Sequence, residues 1–385
     1  MESKYKPLNI LSLKLIAQIL DPQSSFAEQE REHKDCIGKY TLLIPYSRDI
    51  KISLTESITA YGIGGANKLV QFVRIYLKAR SLIAQSHYDV LTVADSYYLA
   101  LVGWLIARRY HLGFEVQVHG FEKFSGLRAF LARRILQRAD SIRVVSSRLK
   151  KLLVAQFGIP EVKITAAPLF FVDTTVIPRS ASEQALSAEL EAQIAQQKKN
   201  DFVFLTIGRL VRVKNITLQL EALKSLLTRH PDTQLWIVGA GPERALLEKN
   251  AQDLGIADHV RFWGWHADPS AFYAHADSFL LSSDSEGWGL VVVEAAAHRL
   301  PILMTDVGCA GEFIHNGENG LIVPVGDKEA FGEGMEKLRT DAALREALGK
   351  AAEESLAMLP SREELMQRYV GSWEKAAGTL FLLNA

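Results

Sequence analysis

Short apolar runs alternate along the chain with longer stretches whose apolar residues recur every three or four positions. The runs are typical of buried strands and the stretches of amphipathic helices, so their alternation predicts α/β units built on parallel sheets. In the first half we expect strands at 9–15, 40–45, 90–94, 115–119, 141–146 and 163–167. The helices predicted between them span 28–36, 67–85, 97–110, 126–138 and 149–157.

A second series of the same kind follows residues 173–200, whose richness in Ala, Gln, Glu and Ser predicts a linker ending in a solvated helix. Strands are expected at 202–207, 234–238, 260–262, 278–281, 302–305 and 320–324. Helices are expected at 218–228, 243–253, 269–275, 290–297 and 311–315, and again from 328 onward with a break near Pro360.

The two series predict two Rossmann-like domains, at 1–178 and 201–360, separated by the linker and helix of 179–200. The last helices, at about 361–385, are expected to return to the first domain, with Tyr369 and Trp373 packing against it.

Composition agrees with a protein that buries two sizeable cores, since 48% of its 385 residues are hydrophobic and 23% are charged. Its two cysteines, Cys36 and Cys309, lack metal-site spacing and predict a reducing environment. The N-terminus has no signal-peptide layout, and the longest apolar run, 97–107, is shorter than the ~20 residues that a membrane span needs. We therefore expect a cytoplasmic protein.

Charge is divided unevenly between the halves. Residues 1–178 hold 24 Lys and Arg against 15 Asp and Glu, which leaves 20 against 29 in the rest of the chain. A basic first half predicts an anionic partner, although ordinary variation of surface charge gives the same count.

The basic character is concentrated between 122 and 151, where nine basic residues face two acidic ones and apolar residues follow a helical spacing. Such a helix lies either on the anionic inner face of the cytoplasmic membrane or against the core with a solvated basic face. Phe124, Leu127, Phe130, Leu131, Ile135 and Leu136 form the apolar stripe.

Four loops of the second series follow predicted strands, at the sheet edge where open α/β folds bind ligands. The first, GRLVRVKN at 208–215, carries Arg209, Arg212 and Lys214, which can neutralise a diphosphate or form a solvated basic loop.

The second loop, GAGPER at 239–244, has Arg244 where a dinucleotide-binding fingerprint needs its third glycine. We therefore disfavour a nicotinamide cofactor, and Gly239 and Gly241 are read as a tight strand-to-helix turn. The third loop, FWGWH at 262–266, offers Trp265 either as a wall for a nucleobase or as a packing residue.

The fourth loop lies in SSDSEGWGLVVVEAAAHRLP, residues 282–301, where a strand is followed by a glycine turn and a helix. This geometry points free backbone N–H groups and the positive end of the helix dipole at an anion. Glu286 in the turn and Glu294 about two helical turns later add acceptors for hydroxyl groups. A nucleotide-sugar site needs both features.

The ordered segments GRLVRVKN, VGAGPE, FWGW, SDSEGWGLVVVEAAA, PILMTDVG and GENGLIV, all within 201–330, resemble the retaining glycosyltransferases of family 4. The resemblance implies the GT-B fold, two Rossmann-like domains with parallel sheets that face each other across a cleft. Glu286 and Glu294 match the family's pair of glutamates, which have seven residues between them.

The resemblance also implies a role for each matching residue. Arg209 and Lys214 would hold the donor diphosphate, and the amides of Gly289 and Leu290 would complete its cradle. Glu294 would bind the ribose, while Glu286 and His119, from the first domain, would contact the donor sugar. Gly239, Gly241, Trp265, Gly287 and Trp288 would surround the donor.

The implied reaction moves a sugar from a UDP- or GDP-hexose to a glycan, either lipid-linked or part of a cell-surface polysaccharide, with retention at the anomeric carbon. Because the chain has no D-x-D motif, we expect fixed cations rather than a metal to neutralise the leaving diphosphate, and no cofactor or nucleic acid partner. A sugar-nucleotide epimerase, a phosphorylase and a catalytically silent sugar-nucleotide-binding subunit remain as alternatives.

The first half departs from the family after its first strand, where no glycine occurs before Gly38 and the family's glycine-rich loop is missing. Arg31 and His33, expected at the start of the first helix, are candidate replacements.

Overall fold

The computed structural model describes residues 7–120, 126–168 and 181–383, and it divides the chain into two units. The first unit is formed by residues 1–168 together with 361–385, and the second by 169–360. The C-terminal helix therefore belongs to the same unit as the first strands.

An eight-stranded sheet forms the centre of the first unit. Its spatial order is β3-β4-β2-β1-β5-β6-β7-β8, and every neighbouring pair is parallel except β3 with β4. The strands are β1 (Leu8–Leu13), β2 (Ile37–Pro45), β3 (Ile50–Ser53), β4 (Ile58–Ile63), β5 (Val90–Val93), β6 (Gly113–Val118), β7 (Ser141–Val144) and β8 (Ile164–Ala166).

The antiparallel pair β3–β4 was not predicted from the pattern. Along β3, half-buried residues alternate with exposed ones, and along most of β4, buried residues alternate with half-buried ones. Neither strand is therefore as continuously buried as the central strands. The pair extends the sheet at one edge, beyond β2. An edge strand needs only one buried face, which explains the weak signal.

Five helices connect the strands of this unit. They are α1 (Ser25–Arg31), α2 (Lys68–Gln85), α3 (Tyr98–Tyr110), α4 (Gly126–Arg138) and α5 (Ser147–Phe157). Ser24 caps α1 by accepting from the Ala27 amide, so the helix expected at 28–36 begins earlier and ends at Arg31. Arg31 and His33 therefore lie at and beyond the end of this helix, and not at its start as predicted.

The last helix, α13 (Arg362–Leu383), packs against the sheet of the first unit. Trp373 is fully buried there beside Tyr40, and its indole N–H donates to Glu115 of β6 at 3.0 Å. The predicted packing roles of Tyr369 and Trp373 are confirmed, since both are buried in this core.

The second unit is built on a six-stranded sheet in the order β11-β10-β9-β12-β13-β14, with all pairs parallel. The strands are β9 (Phe202–Ile207), β10 (Thr233–Val238), β11 (Val260–Gly264), β12 (Ser278–Leu281), β13 (Ile302–Thr305) and β14 (Leu321–Val323). The helices are α6 (Ala181–Lys198), α7 (Ile216–Leu227), α8 (Arg244–Asp253), α9 (Ser270–His275), α10 (Leu290–Ala297), α11 (Lys328–Thr340) and α12 (Ala342–Ser355).

One predicted helix of this unit is wrong. Residues 311–315 form a turn in which Ala310 and Ile314 are joined by a backbone bridge. Gly311 has a φ of +73°, which a helix does not accommodate. The remaining predicted strands and helices of this unit are confirmed, with ends that shift by one or two residues.

Candidate active site

The loop after β9 is fastened to the segment after β12 by hydrogen bonds between their backbones and side chains. The amide of Asp284 donates to the Val213 carbonyl at 2.8 Å, and the Ser282 hydroxyl lies 2.9 Å from the Lys214 carbonyl. Asn215, in the left-handed region at φ 46°, donates its side-chain amide to Asp284. The basic loop therefore has a fixed path beside the turn that carries Glu286.

Lys214 and Glu286 form an ion pair at the carboxyl edge of the sheet. The Lys214 ammonium lies 2.5 Å from Glu286 Oε1, and the hydroxyl of Ser283 donates to the same oxygen at 2.7 Å. Both charged side chains are largely buried, with 18% and 11% of their surfaces exposed. Two residues predicted to handle the diphosphate and the sugar are thus in direct contact.

The glycine turn before α10 is hydrogen-bonded to the turn that follows β13. The Cys309 amide donates to the Trp288 carbonyl at 2.8 Å, and a Cβ on Gly308 would lie 2.3 Å from that same carbonyl oxygen. Gly289, with a φ of +96°, is the residue from which α10 begins at Leu290. Glycine at 289 meets the backbone requirement of the turn, and the preceding residue, Trp288, is buried.

Glu294, about one turn into α10, accepts a hydrogen bond from the hydroxyl of Tyr273 at 2.7 Å. Tyr273 belongs to α9 and stacks on His298, with ring centroids 4.9 Å apart. Burial raises the pKa of Glu294, while the Tyr273 hydroxyl and the nearby His298 lower it. Oε1 of Glu294 has no hydrogen-bond partner among the described residues, so it is the oxygen that can accept from a ligand.

Gly239 and Gly241 allow the second loop to approach the first. A Cβ on Gly239 would lie 1.9 Å from the Gly208 carbonyl oxygen, and one on Gly241 would lie 2.2 Å from that of Leu210. The Glu243 amide also donates to the Leu210 carbonyl. Contact between two backbones explains both glycines, and it supports the reading of this segment as a tight turn.

The aromatic loop divides into one packed and one exposed tryptophan. Trp263 packs edge-on against Trp236 and Phe272, with ring centroids 5.6 and 5.2 Å away. Trp265, by contrast, has 71% of its surface exposed. Of the two interpretations of this loop, packing applies to Trp263, and Trp265 is the residue that presents a ring to solvent.

Arg209 is exposed, whereas the next residue, Leu210, is buried. The side chain of Arg209 thus reaches solvent from the same loop that holds Lys214. Gly287 is half-buried between Glu286 and Trp288 in the turn, and Leu290 at the start of α10 is 38% exposed.

His119 directly follows the last residue of β6 in the first unit. Desolvation lowers the pKa of His119 to about 4, and the positive charges of Arg143 and Lys14 act in the same direction. The imidazole is therefore neutral at pH 7 and able to donate or accept a hydrogen bond.

Arg31 and His33 are engaged in the first unit itself. The Arg31 guanidinium pairs with Glu28 and donates to the Pro22 carbonyl, both at 2.5 Å. His33 is buried among aromatic rings and stacks on Tyr369. The buried His33 is not accessible to a ligand, whereas the suggestion that Arg31 replaces the missing glycine-rich loop stays a prediction.

The basic stretch has two kinds of apolar residue. Ile135 and Leu136 of α4 are buried, whereas Leu127 and Phe130 are 66% and 56% exposed, so each interpretation fits part of the helix. Residues 121–125, including Phe124, lie outside the described residues. Within the described ranges, no helix is long and apolar enough to cross a membrane, and no three His, Cys, Asp or Glu side chains are grouped to hold a metal.

Sequence reasoning missed two partners in this site. Ser283 stands within the motif itself, three residues before Glu286, and could have been found there. Tyr273 lies 21 residues before Glu294 on another helix, and no local pattern marks it.

Two family models match the chain. The model described as Glycosyl transferases group 1 matches residues 187–355, and the model described as Glycosyltransferase Family 4 matches residues 48–173. Together they extend over most of both units.

Curated relatives include glycosyltransferases named for lipopolysaccharide core and capsular polysaccharide biosynthesis. The lipopolysaccharide core biosynthesis glycosyltransferase LpsE of Rhizobium meliloti is 37% identical over 168 residues, which cover 44% of this chain and 48% of the relative. A GDP-mannose-dependent alpha-(1-6)-phosphatidylinositol monomannoside mannosyltransferase of Mycolicibacterium smegmatis is 29% identical, with 71% and 73% covered. The chain spans about half the length of the first relatives that it matches.

Solved structures share the fold at low sequence identity. Anabaena HepE, determined with UDP and glucose, superposes with a TM-score of 0.76 at 17% identity, covering 95% of this chain and 99% of HepE. The two parallel-sheet units therefore have the GT-B fold.

Proposed function

Given that the chain belongs to the glycosyltransferases of group 1 and family 4, we propose that it transfers a hexose from a nucleoside diphosphate donor to a glycan, with retention at the anomeric carbon. The observation that carries this proposal is the contact of Lys214 with Glu286 at the carboxyl edge of the second sheet. The cation and the carboxylate of this pair have the charges that complement the leaving diphosphate and the developing positive charge on the sugar.

The leaving diphosphate gains negative charge as its bond to the anomeric carbon breaks. Lys214 and the exposed Arg209 can neutralise that charge, and the free amides at the start of α10 add fixed donors. As Lys214 moves toward the diphosphate, Glu286 is released from its pair and can stabilise the positive charge developing on the sugar. Lys214 thus stabilises the charge on the leaving diphosphate, and Glu286 stabilises the charge on the sugar.

Glu294 is proposed to bind the ribose of the donor. One of its oxygens is held by Tyr273, which leaves the other oriented to accept from hydroxyl groups. Trp265 is proposed as the surface on which the nucleobase stacks, since its exposed ring has an apolar face to offer. Gly239, Gly241, Gly287 and Trp288 act by shaping the loops around these groups.

The acceptor is proposed to contact the first unit. The neutral His119 of that unit is proposed to form a hydrogen bond with a hydroxyl of the donor sugar. Lipid-linked or cell-surface glycans are the acceptor class we favour, and relatives named for lipopolysaccharide core and capsular polysaccharide synthesis support it. We place the protein in the cytoplasm, at the inner face of the membrane, with residues 122–151 contributing contact through the exposed Leu127 and Phe130.

Thermal-shift measurements with UDP-, GDP- and ADP-hexoses test donor binding, because a ligand that binds only the folded state raises the melting temperature. We expect a rise with a UDP- or GDP-hexose that is lost in Glu294→Ala. Equal melting temperatures with every donor would overturn the proposal.

A second measurement tests the reaction class. The free nucleoside diphosphate should be released only when a glycan acceptor is added, and NMR of the product should show the donor's anomeric configuration. Release without acceptor would favour an epimerase or hydrolytic reaction. Turnover that survives a strong chelator is expected from fixed cations, and loss of turnover would require a metal.

A further inference from the structure

Helix α2 of the first unit has an exposed apolar stripe where a surface helix is normally polar. Ile75, Ala79 and Leu82 form its buried face. On another face Leu69, Val73 and Leu77 follow one another at intervals of four, with 73%, 53% and 53% of their surfaces exposed. More than half of the surface of each of these side chains is therefore open to solvent in the described part of the chain.

The same helix lines a cavity of about 390 Å³ with the edge strands β3 and β4. Its walls carry three cations, Lys51, Arg74 and Lys78, and one carboxylate, Asp49. Arg74 is fixed by Asp49 at 2.6 Å and by the Gly64 carbonyl at 2.8 Å. The site therefore keeps an excess of two positive charges.

The two lysines of the cavity are oriented by a ring. Lys78 Nζ lies 4.3 Å from the centre of the Tyr61 ring and Lys51 Nζ lies 5.9 Å from it. Neither lysine forms an ion pair with a described carboxylate, so both remain able to bind an anion. Arg74 and Lys78 follow Val73 and Leu77 directly in sequence, which places the cavity along the flank of the apolar stripe.

Charge on the neighbouring helices has the same sign. Helices α2, α3 and α4 contact one another in series, and their 44 residues contain ten Lys and Arg and no Asp or Glu. Tyr98, Leu105, Leu127 and Phe130 add exposed apolar surface on α3 and α4. These three acid-free helices combine cations with apolar side chains, which complements an anionic bilayer.

We propose that this surface docks on an anionic bilayer, with α2 as the main contact and a lipid phosphate held in the cavity of Lys51, Tyr61, Arg74 and Lys78. The apolar stripe enters the boundary between headgroups and acyl chains, while the lysines reach the phosphate plane. The site extends well beyond residues 122–151 and involves neither Glu286 nor Lys214. Docking is therefore independent of whether the protein transfers a sugar.

The test is co-sedimentation of the full chain with vesicles of phosphatidylcholine alone or mixed equally with phosphatidylglycerol. We expect binding only to the mixed vesicles, weakened by salt. Removing both lysines in Lys51→Ala/Lys78→Ala should weaken binding by about thirtyfold. The matched control is Lys224→Ala/Lys249→Ala, which removes two exposed lysines of the second unit and should bind as the parent does.

A second pair of variants tests the stripe. Leu69→Ser/Leu77→Ser should reduce binding, whereas Val162→Ser, at a position 75% exposed elsewhere in the first unit, should not. Equal binding to both vesicle types, or equal loss in test and control variants, would overturn the proposal.

Two further readouts exclude other occupants. Glycerol phosphate that binds the cavity while anionic vesicles do not would identify a free phosphate as the ligand. Sedimentation velocity could show a dimer that dissociates in Leu69→Ser/Leu77→Ser. That result would identify a second copy of the chain as the partner of the apolar stripe. Either result contradicts bilayer docking, while donor-induced thermal shifts test the transferase separately.

Discussion

The Nζ atom of Lys214 and Oε1 of Glu286, from residues 72 positions apart in sequence, lie 2.5 Å from each other. Because both side chains are mostly buried, each depends on the other for compensation of its charge. A diphosphate entering the site must compete with Glu286 for the ammonium. Donor binding and release of Glu286 toward the sugar are thereby linked in one exchange of partners.

The first prediction concerns this pair. Glu286→Gln preserves shape but removes the charge that would stabilise the developing cation on the sugar, and Lys214→Met removes the charge that neutralises the leaving group. We expect each variant to lower turnover by roughly 100- to 1000-fold, as is typical when one electrostatic contact to a transition state is removed. Release of the nucleoside diphosphate in the presence of acceptor measures the effect.

The matched control for the pair is Glu333→Gln, an exposed residue of α11. It should turn over at the parent rate. If Glu286→Gln matched this control, Glu286 would have no electrostatic role in the reaction.

The second prediction uses the hydrogen bond from Tyr273 to Glu294. Burial raises the pKa of Glu294, and the Tyr273 hydroxyl opposes that rise. Tyr273→Phe should therefore raise the pKa of Glu294 further. Since the ionised carboxylate accepts from ribose hydroxyls, donor affinity should fall as pH falls through this pKa, and the fall should come at higher pH in the variant.

Calorimetric titration of the donor across a pH series measures that shift. Tyr98→Phe, at an exposed position of α3, is the control and should leave the pH profile unchanged. A parallel loss of affinity at all pH values in Tyr273→Phe would show a positioning effect without a pKa effect.

The third prediction separates packing from ligand binding at the glycines of the second loop. Gly241→Ala places a Cβ 2.2 Å from the Leu210 carbonyl oxygen, so one of the two loops must move. We expect a loss of about 1–3 kcal/mol in the free energy of unfolding. Chemical denaturation without donor measures it.

Gly332→Ala is the control for this substitution, because Gly332 lies inside α11 and its Cβ would meet nothing within 4 Å. Alanine there should stabilise by about 0.5–1 kcal/mol. Equal stability of Gly241→Ala and the parent would mean that the close approach of the loops is not maintained in solution.

Much of the second unit could be predicted because its signals are local. The strand at 202–207 is a continuous apolar run, and the turn at Glu286–Gly289 carries its own glycines, so pattern and motif coincide. The same local reasoning failed at 311–315, where Gly311 needs a positive φ and the chain closes a turn.

What could not be predicted depends on contacts between distant parts of the chain. Nothing near Glu294 indicates that Tyr273 will be its partner, and nothing near His33 indicates that aromatic residues of the last helix will enclose it. Edge strands such as β3 are half polar because one face is solvated, and so their pattern resembles a loop.

The fourth prediction concerns the hydrogen bond by which Trp373 joins α13 to Glu115 of β6. Glu115 is fully buried and also accepts from the hydroxyls of Thr92 and Ser372. Trp373→Phe removes one donor from this carboxylate and should cost about 1–3 kcal/mol of stability in the first unit. Differential scanning calorimetry measures the change in its transition.

Glu374→Gln, at the neighbouring exposed position of the same helix, should leave that transition within about 0.5 kcal/mol of the parent. An equal effect of both substitutions would mean that α13 is held by apolar contact alone.

The fifth prediction is a pH dependence of stability that originates at His33. Burial lowers the pKa of His33 to about 4, with Lys14 and Arg143 acting in the same direction and Glu30 against them. In the unfolded chain the imidazole titrates near 6.5, so the unfolded state takes up the proton first. The stabilisation is therefore complete above pH 6.5 and is lost as pH falls toward 4, by roughly 3 kcal/mol.

His33→Phe retains an aromatic ring between Tyr40 and Tyr369 but cannot take up a proton. We expect the variant to lose less stability than the parent between pH 6.5 and 4, measured by urea unfolding at both pH values. Part of the slope should remain, because the pKa of His119 is lowered as well. The half-buried His230 of the second unit provides the control, since His230→Gln should preserve the full slope. An unchanged slope in His33→Phe would place the acid sensitivity elsewhere in the first unit.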